Sequence, residues 1–157
     1  MKHGLLCLLL LLSPLSGAAE QKVYLMATVT LGGSNLANTI FLHEPDITDL
    51  ESCTQAWIRG QRDDDWLKYH HILRTDKMQG FTARIAYRCV TSELGIDSWH
   101  DSMHYDFAYL ISVEQPSSAL QVHKAASLAA CSAQLAGQPA VQGVSRHCAK
   151  SNQRIDI

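Results

Sequence analysis

His100, Met103 and His104 fall within one five-residue stretch and are the most metal-like residues in the chain. A His-x-x-x-His spacing sets two imidazoles on one side of a helical turn, where they can hold a divalent metal. The thioether of Met103 between them suits copper. His70, His71 and Met78 lie in a second polar stretch that could converge on the pair. A zinc protease would carry glutamate directly after the first histidine, and here Asp101 stands instead. Asp63, Asp64 and Asp65 are consecutive, with neither the alternation and glycine nor the bidentate glutamate of a calcium loop. They read better as the solvated start of a helix. No serine sits in a Gly-x-Ser-x-Gly elbow, and Gly32-Gly33-Ser34 has no context that activates its hydroxyl. No catalytic residue is assigned, and the reading leans away from an enzyme.

The cysteines carry a clearer message. Of five, Cys7 lies in an apolar N-terminal run, leaving Cys53, Cys89, Cys131 and Cys148. None of the four forms a Cys-x-x-Cys pair, which argues against a zinc knuckle or a redox motif. Leu50, Cys53 and Trp57 share an offset pattern with Leu128, Cys131 and Leu135. That pattern puts each cysteine on one apolar face of a helix. Cys89 and Cys148 instead end strand-like runs. The preferred disulfides are therefore Cys53–Cys89 and Cys131–Cys148, each pinning a helix to the next strand and each worth about 3 to 4 kcal/mol.

Disulfides require an oxidising compartment, and residues 1–19 read as the export signal that leads there. Lys2 supplies the positive charge, residues 5–12 are apolar, Ser13 and Pro14 break the run, and Gly17, Ala18 and Ala19 offer a processing site. The apolar run is too short to cross a bilayer. The expected organisation is thus a cleaved signal at 1–19 and one disulfide-braced α+β domain at 20–157. The whole chain carries a formal charge of −2, and loss of Lys2 makes the remainder more acidic. That balance argues against nucleic acid as a partner, and no integral membrane segment is expected after cleavage. Asn35, Asn38 and Asn152 all lack a glycosylation sequon. A periplasmic or secreted location follows.

The elements that would position these residues come from periodicity. Residues 23–31 alternate as a strand that 36–44 either extend or pair with, and a helix is expected from Asp46, as N-cap, to about Arg59, stopped by Gly60. Residues 81–90 and 105–113 are further strands, and an alanine-rich helix is expected at about 119–135, before a last strand at 141–149. The tail from Lys150 is expected to be loose. The chain thus repeats a β-α-β unit, at about 22–90 and 104–149. The order β-α-β-β-α-β fits a ferredoxin-like sandwich, an antiparallel sheet with both helices on one face and long insertions. Such a sheet would leave Tyr24, Met26, Thr28, Ala108 and Leu110 on an open face, available to another protein or to a second copy. The leading functional expectation is a small exported binding protein of inhibitor, immunity or envelope-accessory type, working through a protein surface. A periplasmic copper-type metal binder and an unrecognised hydrolase are the alternatives. No cofactor is expected beyond copper or another divalent metal.

Overall fold

The computed structural model describes residues 20–32, 36–63, 83–100, 102 and 104–157. The segment read as an export signal lies outside them, as do His70, His71, Met78, Asp64 and Asp65. In chain order the elements are β1 (Lys22–Leu31), β2 (Ala37–Leu42), α1 (Leu50–Asp63), β3 (Ala83–Ser92), β4 (Gly95–Ile96), β5 (Phe107–Glu114), β6 (Leu120–Ala125), α2 (Leu128–Ala136), β7 (Val144–Ser151) and β8 (Ile155–Asp156). The mixed α+β architecture is as expected, but the topology is not the simple ferredoxin-like one. Six strands form one sheet in the order β3-β1-β2-β7-β5-β6, and β4 pairs with β8 apart from it.

Two strands beyond the β-α-β-β-α-β order make the difference, the first of them the pairing open to 36–44. β2 folds back on β1 as an antiparallel hairpin partner, with Leu25 opposite Leu42. The segment expected to begin the alanine-rich helix is instead β6, antiparallel to β5 with Leu110 opposite His123. Leu120 and Val122 are buried there while Gln121 and His123 are exposed, a strand period that helix propensity obscured. Ser127 then caps α2, its hydroxyl accepting from Ala130 N at 3.1 Å. The α1 cap is Asp49, three residues beyond the expected Asp46. Asp49 Oδ1 accepts from Ser52 N at 2.7 Å, and Ser52 Oγ accepts from Asp49 N at 3.0 Å. This reciprocal pair satisfies donors that the first helical turn leaves free. α1 also runs through Gly60 to Asp63.

The two halves are built alike, each as β-β-α-β. Leu25 of β1 lies opposite Cys89, and Leu110 of β5 lies opposite Cys148. Disulfides join Cys53 of α1 to Cys89 and Cys131 of α2 to Cys148, both with Cα atoms 5.9 Å apart. This is the pairing that the helix and strand contexts favour. Cys53 Sγ lies 3.8 Å from Tyr24 O, and Cys131 Sγ lies 3.4 Å from Tyr109 O, so even the seat of each sulfur is reproduced. The halves join by a parallel contact between Asn38 of β2 and Lys150 of β7. The equivalent contact, Thr91 beside Ala119, draws the far edges of the sheet together. Thr91 N donates to Ser118 O there at 2.9 Å.

The sheet therefore curls on itself, and both of its faces are covered. On the convex side Val23, Leu25, Ala27 and Val29 pack with Ile40, Leu42 and Cys53 beneath α1. On the concave side Tyr24, Met26 and Phe41 meet Tyr109, Ile111 and Val122 in one core. Strands buried on both faces become nearly continuous apolar runs, which explains β1 and β5. The expected open face does not exist. Tyr24, Met26, Thr28 and Ala108 are 3%, 4%, 8% and 4% exposed and Leu110 is fully buried, and they divide between the two sides of the sheet. Curling turns the first three inward, and Ala108 and Leu110 lie on the side that carries α2.

The C-terminal tail is also not loose. Gln153 is fully buried. Its Oε1 accepts from Phe41 N at 2.7 Å, and its Nε2 donates to Phe41 O at 2.8 Å and to Asp97 O at 2.7 Å. The amide thus serves β2 as a neighbouring strand would. Tyr109 Oη donates to Gln153 O at 3.2 Å and accepts from Ile155 N at 3.1 Å. These bonds and the β4–β8 pair close one end of the curled sheet.

Candidate functional site: the polar lumen and the open seams

The concave core is apolar at the closed end and polar further along. Thr28 and Thr39 face each other across the hairpin with their hydroxyl oxygens 2.9 Å apart. His147 Nε2 of β7 lies 3.5 Å from both. Arg88 of β3 donates through Nη1 to Ser145 Oγ of β7. β1 and β2 stand between β3 and β7 in the sheet, so this bond crosses the lumen.

The internal symmetry marks these residues as departures. Arg88 and His147 are equivalent, each preceding the disulfide cysteine of its strand. The equivalents of Thr28, Thr39 and Ser145 are Val113, Leu120 and Ala86, as the matching registers require. Thr28 and Thr39 in one half and Ser145 in the other thus each place a hydroxyl where the equivalent residue is hydrocarbon. Burial, and then the nearby Arg88 cation, push the His147 imidazole down to about 4. It is neutral at physiological pH and can donate or accept one hydrogen bond at Nε2 according to its tautomer.

Both parallel seams gape beyond their single contacts. A cleft of about 460 Å³ opens at the β2–β7 seam, where Thr30, Ala37 and His147 meet Leu36, Leu135 and Ala136. A second, of about 360 Å³, lies at the β3–β6 seam between Thr91–Leu94 and Ala119–His123. There the outer edge of β6 has no strand partner past Ala119 among the described residues. Glu114 N donates to Ala119 O at 3.0 Å, so the alternation along β6 turns the N–H groups of Val122 and Lys124 away from β5.

Of the sequence-predicted histidine loop, His100, Ser102 and His104 are described. His100 and His104 are exposed. The loop is held by backbone contacts: His100 O accepts from Asn152 Nδ2 at 2.7 Å, and His104 N donates to Ser102 Oγ at 3.0 Å. Met103 lies outside the described residues. Among those that are described, no three metal-ligating side chains cluster. The lumen residues were missed in sequence because each looks like an ordinary polar residue of a strand. Their one sequence signal is position, with Arg88 and His147 each preceding a paired cysteine.

Compared with known proteins, the chain matches no family model, no curated protein and no solved structure.

Proposed function

We propose that this chain is an exported binding protein that recognises an extended segment of another protein along the free edge of β6. The supporting observation is the β3–β6 seam, where a six-residue strand opens onto a cleft instead of continuing the sheet. Unpaired N–H and C=O groups on a strand edge are a template for a further strand. Main-chain bonds would supply affinity, and the cleft floor between Leu94 and Leu120 would read alternate side chains. Two disulfides support an oxidising compartment. No helix of the described residues is long and apolar enough to cross a membrane. Binding accounts for the site better than turnover does. An imidazole held near 4 is a weak general base, and no carboxylate among the described residues orients it.

Native, non-reducing mass spectrometry of the chain purified from an exporting host tests this reading. The expected result is a mass lacking residues 1–19, with two disulfides and a retained protein partner. Lys124→Pro removes an outward N–H without touching the β5 ladder, and it should release that partner while the fold persists. A partner equally retained by Lys124→Pro, or a homodimer in its place, refutes recognition at this edge.

A further inference from the structure

Arg88 is a partly buried cation whose one hydrogen-bond partner among the described residues is a neutral hydroxyl. No carboxylate among those residues pairs with it: the described ion pairs are Arg59 with Asp46 and Arg154 with Asp156, both at the surface. A guanidinium partly withdrawn from water without a counter-ion is costly, and the described residues engage only one of its N–H donors. Its symmetry equivalent, His147, reaches into the same lumen from β7, so two nitrogen-bearing groups approach each other across the axis relating the halves. Hydroxyls of Thr28, Thr39 and Ser145 surround them. This is the donor set that a planar oxyanion requires, since a guanidinium fork matches two carboxylate oxygens. His147 also lines the β2–β7 cleft, where Leu36, Ala37, Leu135 and Ala136 form an apolar wall beside Thr30, Ser132 and Arg146.

We propose that the lumen binds a small organic carboxylate, its oxygens held by Arg88 and the Ser145 and Thr hydroxyls and its apolar part lying in the β2–β7 cleft. This site is independent of the β6 edge and stands or falls without it. The carboxylate would supply the counter-charge that the described residues do not. Its hydrocarbon would cover Leu36, which is 52% exposed. A neutral His147 adds a hydrogen bond without a second charge, which favours a singly charged head over a multiply charged one.

The test uses hexanoate as probe and sulfate as its inorganic counterpart, followed by NMR on the full disulfide-bonded chain. Hexanoate at about 10 mM should move both the Arg88 Nε–H and the His147 ring signals, as expected of a millimolar site. Arg88→Met should weaken binding at least about tenfold, the loss of a charge-assisted bidentate contact. Absence of hexanoate shifts overturns the proposal, and so does undiminished binding by Arg88→Met. Should that variant fail to fold, the wild-type signals decide: binding that leaves Arg88 Nε–H and His147 unmoved refutes the site. Sulfate binding as tight as hexanoate would refute the organic carboxylate as ligand class.

Discussion

The neutral imidazole of His147 makes a quantitative claim about acid stability. In the unfolded chain a histidine titrates near its ordinary 6.5, whereas burial and Arg88 hold the folded one at about 4. Between those values the unfolded chain takes up a proton that the folded chain refuses. Stability therefore falls as pH falls through this window. It is unaffected by this group above the upper value, and the loss is complete below the lower one. At about 1.4 kcal/mol per pH unit, the interval is worth about 3 kcal/mol. The ring faces the Thr28 and Thr39 hydroxyls and the Arg88 cation, with no carboxylate bonded to it among the described residues to soften the penalty. Carboxylates elsewhere also titrate in acid, so the informative quantity is a difference between two proteins. His147→Gln keeps a side-chain amide near the two threonines and removes the titration. Urea unfolding of both proteins from about pH 7 to about pH 4 should show the wild type losing about 3 kcal/mol more than the variant. Parallel stability curves would refute the reasoning, as would an imidazole titration by NMR with its midpoint near 6.5.

Two further outcomes follow from the cross-links and the tail. Removing Cys131–Cys148, which spans 17 residues, should cost about 3 kcal/mol, and removing Cys53–Cys89, which spans 36, about 4 kcal/mol. Serine double variants compared in urea check that order, and a larger loss for the shorter loop would contradict the loop-entropy argument. Gln153→Leu keeps bulk but strips three hydrogen bonds from β2 and the Asp97 loop, at a cost of about 3 kcal/mol. Amide exchange at Phe41 should accelerate in that variant more than exchange at the centre of β5, and uniform acceleration would show that Gln153 has no local role.

Some of this was legible in the chain and some was not, for reasons that differ by element. Cys53 and Cys131 could be placed on helices and Cys89 and Cys148 on strands because helix and strand periods are local. β6 was legible in principle through Leu120 and Val122, but alanines following close behind favoured a longer helix. The tail could not be read. A glutamine in a polar C-terminal segment gives no sign that Phe41, far earlier in the chain, lacks a strand partner on that side.

Local order thus settled the repeated helix-plus-strand plan, the cross-links and the alternation of β1 and β5, since each depends on neighbours within a few residues. Whether an alternating strand has one buried face or two depends on how far the sheet curls. That was settled by the parallel contacts of Asn38 with Lys150 and Thr91 with Ala119, both between segments remote in sequence. The same curling brought Arg88, Ser145 and His147 together with Thr28 and Thr39. Only the tertiary structure could do so, because burial is a property of an enclosed space and not of any stretch of chain.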